Sequence, residues 1–167
     1  MDPQLLGWLT DRGSLTARLK AHCLGRFSVE VLGEQWVRPE PSEARLLKVR
    51  QDQVVLLRQV HLLCGDRLCV YARSIIPLVT LKGRHRRLLF LGDRPLGEYL
   101  FSSPTLQRGR IEWGRLLPGT ALYQTAMPDG GDGHDVWGRR SLFRIDGKPL
   151  LVSEFFLPVL FNNEGMA

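Results

Sequence analysis

The chain has 167 residues, of which 44% are hydrophobic and 24% charged, with a formal net charge of +6. This size and balance fit one globular domain with a real core, and no apolar run is long enough to span a bilayer. The opening MDPQLLGWLT lacks the basic and apolar blocks of a signal peptide. Cys23, Cys64 and Cys69 form no CxxC pair and leave an odd one over. Reduced thiols in a cytoplasmic protein are therefore expected, not a disulfide framework. The positive charge suits nucleic acid, a membrane surface or a small anion. No RNA-recognition motif or paired zinc ligands accompany the basic run 82–87 (KGRHRR), which reads as a solvated helix face, so nucleic acid is not the expected partner.

In chain order, Asp2 and Pro3 have the form of an N-cap and first-turn proline, predicting a short helix through Leu9. Ser14 caps a second predicted helix over 15–23. Residues 27–37 alternate, with Phe27, Val29 and Val31 on one face, and predict a strand that Pro39 and Pro41 break. One helical turn is predicted over 42–46. Residues 54–63 (VVLLRQVHLL) and 68–76 (LCVYARSII) predict a buried hairpin with Gly65-Asp66 as its two-residue turn. Helices are predicted over 82–91, ending at Gly92, and over 95–101. Strands are predicted over 105–117, 137–145 and 148–157, the last two joined at Asp146-Gly147. The result is an α+β fold: a single domain over 1–167, its mostly antiparallel sheet built of hairpins. The stretch 118–135 (PGTALYQTAMPDGGDGHD) predicts a long mobile loop. Its GGDGHD resembles one copy of a calcium-binding nonapeptide, but that site takes ligands from stacked neighbours, so no metal site is expected.

Two places carry charge where a core strand should have none. Arg58 shares a predicted strand face with Leu56, Val60 and Leu62. A tight turn at Gly65-Asp66 sets Leu63 against Leu68 and, counting back, Arg58 against Arg73. Two cations facing each other on an apolar sheet face repel, and an anion between them relieves this. A pocket for a carboxylate or phosphate follows. The alternative is an Arg58 that reaches water at a sheet edge or pairs structurally. At the other hairpin, Glu154 falls opposite Arg139 on the face of Leu150, Val152 and Phe156. It is either a structural partner of Arg139 or an acid/base or hydrogen-bonding group at the bottom of a pocket. No Ser/His/Asp order, phosphate loop or HExxH competes for the role.

At these residues the chain resembles a known family. The segments DPQLLGWL, SLTARLK, LLRQV, ARSIIP, PLGEYLFSSPTLQR and above all WGRRSLFRIDGKPLLVSEFFLP are similar to those of chorismate pyruvate-lyases, small enzymes that start ubiquinone synthesis in many Gram-negative bacteria. The resemblance implies conversion of chorismate to 4-hydroxybenzoate and pyruvate without metal or organic cofactor. It places the family's carboxylate-binding arginine on Arg58 and its active-site glutamate on Glu154, both catalytic. Main-chain contacts to the ligand fall on Leu96 and near Leu15, in helical flaps that retain product tightly. Arg58 and Arg73 then offer two forks for the two carboxylates of chorismate. The expected partners are substrate and product alone, with no nucleic acid and no membrane insertion, and the expected state is a cytoplasmic monomer. The main alternative is the effector-binding domain of GntR-type repressors, which has the same fold behind a winged-helix domain; this chain's domain begins at residue 2, which leaves no room for one. The other is a related chorismate-processing enzyme giving another hydroxybenzoate.

Overall fold

The computed structural model describes residues 1–162, in which one sheet has six strands, each paired antiparallel to its neighbours. They are β1 (Phe27–Val37), β2 (Val55–Cys64), β3 (Arg67–Pro77), β4 (Gln107–Leu116), β5 (Val136–Ile145) and β6 (Lys148–Phe156). Their order, β1-β2-β3-β6-β5-β4, joins an N-terminal and a C-terminal meander through a central β3–β6 pair. The helices are α1 (Pro3–Thr10), α2 (Leu15–His22), α3 (Pro41–Leu47), α4 (Leu96–Phe101) and α5 (Ala121–Ala126), with 3-10 helices at Gly83–Phe90 and Pro158–Phe161. This is the expected α+β arrangement.

Local chemistry sets the element ends. The Asp2 carboxylate accepts from Gln4 N–H at 2.8 Å and Ser14 Oγ from Ala17 N–H at 3.2 Å, capping α1 and α2 as predicted. Asp146 and Gly147 both take positive φ, 50° and 74°, and Ile145 pairs with Lys148 across the turn. Gly65 also has positive φ, and Cys64 pairs with Arg67.

Both faces of the central strands are covered. On one, α1 and α2 set Trp8, Leu9 and Leu19 against Val60, Leu62, Val70 and Phe156. Beside them Leu88, Leu91 and Leu100 meet Leu56, Ile76, Phe143 and Leu150. On the other face, α3 packs Leu47 on Leu57, Ile75 and Leu151, and α5 packs Tyr123 and Ala126 near Tyr71. Each fully buried Leu or Ile contributes about 1.5–3 kcal/mol.

This double coverage explains the largest departure from expectation. Arg58 does not face Arg73. The pairing runs Cys64–Arg67 and Leu63–Leu68, then slips, so that Leu62 meets Val70, Arg58 meets Ser74 and Arg73 meets Gln59. Cys69 is the extra residue of this bulge, and its carbonyl accepts from Leu157 N–H at 2.9 Å. A one-residue slip exchanges the faces of every residue beyond it. Here neither register exposes an apolar side chain, because Cys69, Tyr71 and Ile75 are as buried on one face as Val70, Ala72 and Ile76 are on the other.

Three smaller corrections follow. The stretch 118–135 is not irregular throughout: α5 lies within it, with Thr120 Oγ1 accepting from Tyr123 N–H. The Tyr123 hydroxyl donates to His134 O at 3.0 Å and ties the two ends of the segment together. The helix expected over 82–91 is 3-10, which aligns residues three apart and buries His85 and Leu88 on one side. Cys23 and Cys64 are joined as a disulfide, against the expectation of reduced thiols. Cys23 follows α2 and Cys64 ends β2, 41 residues apart in sequence with no motif to mark them, yet the fold brings their Cα atoms to 5.5 Å. Alkylation of the denatured protein without reductant should label one cysteine, the buried Cys69, and after reduction all three. Three labels without reductant would refute the pairing.

Candidate active site

Between the sheet and the helices α2 and α4 lies a small internal cavity with about 50 Å³ of free space. The space exists because β3 presents small residues there. Ala72 sits opposite both Val60 and Glu154, and Ser74 sits between Arg58 and Val152. The walls are apolar, with Leu62, Val152, Leu100 and Phe143 among them, and the charged residues lining the cavity are Arg58, Arg108 and Glu154.

Arg58 is 2% exposed. Its Nη1 donates to Glu34 Oε1 at 2.7 Å, and its Nη2 to Gly92 O and Arg94 O at 2.8 and 3.2 Å. A bulge in β1 between Val31 and Gly33 brings Glu34, not Gly33, opposite Arg58. These bonds occupy three of the five guanidinium hydrogens and leave two for a ligand. The Glu34 side chain is 30% exposed.

Glu154 both pairs with Arg139 and lines the cavity. Its Oε2 accepts from Arg139 Nε at 2.7 Å, as the hairpin register predicts. Its Oε1 accepts no hydrogen bond from the described residues, and Glu154 lines the cavity. Arg139 is 2% exposed and also donates through Nη1 to the carbonyls of Trp8 and Asp11.

Arg108 was not singled out from the sequence. Its Nε and Nη2 donate to Ser141 Oγ at 3.1 and 3.0 Å, its Nη1 donates to Gly13 O at 3.1 Å, and its guanidinium stands 4.9 Å from the Phe143 ring centre. Burial pushes its pKa down to about 10, although the nearby Glu154 carboxylate pulls upward. It belongs to β4, an edge strand whose other residues are mostly exposed, and one arginine in so basic a strand carries no distinguishing mark. The one available signal is its register opposite Phe143.

Leu15 and Leu96 also line the cavity, as the first residues of α2 and α4. Main-chain N–H groups in a first helical turn have no partner within the helix, so both positions offer donors to a ligand oxygen. Arg73 stands apart on the opposite face, donating to Glu43 Oε1 at 3.3 Å in an open groove with Glu112 and Arg140. The two flap helices touch. A Cβ on Gly97 would stand 2.7 Å from Thr16 Oγ1, and Lys20 pairs with Glu98.

Fold and site together define an α+β domain with an internal cavity, lined by Arg58, Arg108 and Glu154 among apolar residues, between an antiparallel sheet and the helices α2 and α4. Fold alone is shared widely. PhnF from Mycobacterium smegmatis matches with a TM-score of 0.67 at 15% identity, over 90% of this chain and 66% of its own. The effector domain of PhnF matches at 0.63 and 14%, over 88% and 90%. Sequence is more specific. The family described as chorismate lyase matches residues 1–166, and the chain belongs to that family. A Methylococcus capsulatus protein named "Probable chorismate pyruvate-lyase" is 47% identical over 156 residues, 93% of this chain and 95% of that protein. Proteins of the same name from Marinobacter nauticus and Pseudomonas aeruginosa are 43% and 40% identical, over 93% and 100% of this chain and 77% and 90% of their own.

The Arg139–Glu154 pair makes a stability prediction. In Glu154→Leu the buried Arg139 keeps only carbonyl acceptors, and urea unfolding should show a loss on the order of 3 kcal/mol. Glu154→Gln leaves an amide oxygen for Arg139 and should lose less than half of that. Equal losses would mean that the pair does not hold the site together.

Proposed function

We propose that the cavity is the active site of a lyase that converts chorismate to 4-hydroxybenzoate and pyruvate. The observation that carries this is a buried arginine, Arg58, and a carboxylate with a free oxygen, Glu154, in one internal cavity of a chain from the chorismate lyase family. The ring carboxylate of the substrate binds the Arg58 guanidinium. The ring hydroxyl, at the far end of the ring, donates to Glu154 Oε1. The first-turn amides of Leu15 and Leu96 are positioned to hold ligand oxygens, and the apolar walls hold the ring.

In the reaction, the ether C–O bond of the enolpyruvyl group breaks. The hydrogen on the hydroxyl-bearing ring carbon leaves, and the enolpyruvyl methylene gains a hydrogen to become the methyl group of pyruvate. Aromatisation drives the change, so orientation and exclusion of water are the main demands on the protein. Glu154 holds the hydroxyl and thereby fixes the adjacent C–H and C–O bonds in reacting geometry. Ubiquinone synthesis is the pathway this product would serve. On this reading the chain works as a cytoplasmic monomer on a small molecule. A ligand sensor of the same fold is disfavoured, because the solved PhnF structures share only the fold with this chain.

Incubation with chorismate tests the reading. It should yield 4-hydroxybenzoate and pyruvate in equal amounts; no turnover would favour a sensor, and another hydroxybenzoate a related lyase. Arg58→Ala should lower kcat/KM on the order of 2–5 kcal/mol, roughly 30-fold or more, with a melting curve close to the parent's. A near-parental kcat/KM would remove Arg58 from the site. Because the flaps cover the ligand, product release should limit turnover. Rapid mixing with excess chorismate should give a burst of close to one equivalent of 4-hydroxybenzoate before the steady rate, whereas a linear trace would place the slow step in the chemistry.

A further inference from the structure

Three buried guanidiniums stand on the cavity face of the sheet, and two have a carboxylate of their own. Arg58 has Glu34 at 2.7 Å, and Arg139 has Glu154 at 2.7 Å. Arg108 has none. The closest carboxylate oxygen recorded for it, Glu154 Oε2, lies 3.9 Å away and is already bonded to Arg139. Asp11, the other acid that acts on it, is taken by Arg18 at 3.1 Å and by Gly13 N–H at 2.9 Å. The hydrogen-bond partners of the Arg108 guanidinium are neutral, one hydroxyl and one carbonyl, and they occupy three of its five hydrogens. Its side chain is only 6% exposed. A buried cation held only by dipoles is costly, and its lowered pKa is the same cost in another form. The site is therefore one negative charge short at Arg108.

The substrate of the reading above brings two carboxylates, and Arg73, the expected second fork, lies on the wrong face. We infer that Arg108 receives the enolpyruvyl carboxylate of the substrate and is a specificity-determining residue for the dianion. The inference rests on the proposed reaction and adds a role to it. The ring hydroxyl and the enolpyruvyl ether are on neighbouring ring carbons. A ring held by Arg58 at one end and Glu154 at the other therefore carries the enolpyruvyl group beside Glu154, where Arg108 stands. A cation there also faces the oxygen that gains negative charge as the ether C–O bond breaks. After cleavage this carboxylate departs with pyruvate, and the remaining monoanion has no contact with Arg108.

This last point separates Arg108 from the rest of the site. Arg108→Gln should lower kcat/KM for chorismate by roughly 30-fold or more and leave the dissociation constant of 4-hydroxybenzoate within about threefold of the parent. Arg108→Lys, which keeps the charge but not the fork, should recover at least about tenfold over the Gln variant. Parallel weakening of product binding would make Arg108 a general support of the cavity and overturn the inference, as would an unchanged kcat/KM. Should the Gln variant not fold, the parent decides the matter. It should bind 3-(carboxymethoxy)-4-hydroxybenzoate at least about tenfold more tightly than the monoanionic 3-ethoxy-4-hydroxybenzoate, and equal affinity would overturn the inference. Absence of turnover by the parent would instead refute the proposed reaction.

Discussion

The structure depends on charges buried on one sheet face and on where each finds its partner. Removing an ion from water costs several kcal/mol, recovered only through close, directional contacts. Arg139 recovers it through Glu154 and the carbonyls of Trp8 and Asp11, so one guanidinium joins β5 to β6 and both to the end of α1. Arg108 reaches Gly13 O from β4, and Arg12 returns a bond to Arg108 O at 2.6 Å. The turn between α1 and α2 is thus pinned to the sheet by the same arginines that stand around Glu154. Leu15 follows two residues later. Flap position and cavity charge are consequently one arrangement, and a change to either acts on the other.

The flaps are held to each other more weakly. Lys20 and Glu98 are each about half exposed, and such surface pairs contribute about 0–1 kcal/mol. Close packing of Gly97 against Thr16 gives the contact its shape. A covalent link at Cys23 joins the far end of α2 to β2.

How much of this was legible in the sequence follows from what the sequence had to encode locally. Asp146-Gly147 is a local signal, and from it the register of β5 and β6 placed Glu154 opposite Arg139 correctly. Arg58 in an apolar strand was likewise visible, because burying a charge leaves a mark in the hydrophobic pattern. Arg73 misled for the opposite reason. With both sheet faces buried, alternation no longer reports which residues share a face, and one extra residue at Cys69 moved Arg73 away from the cavity. Arg108 and the Cys23–Cys64 pair were hidden because their partners are brought close only by the fold. The short helix α5 was masked by the density of Gly, Pro and Asp around it.

The central claim is that one face of this sheet reads a dianion, with Arg58 and Arg108 taking one carboxylate each and Glu154 the hydroxyl. A crystal structure with the unreactive dianion 3-(carboxymethoxy)-4-hydroxybenzoate tests it most directly. The account predicts the ring carboxylate on Arg58, the hydroxyl on Glu154 Oε1 and the second carboxylate in hydrogen-bond contact with the Arg108 guanidinium. A second carboxylate directed to solvent, or a ligand seated at Arg73 on the opposite face, would contradict it.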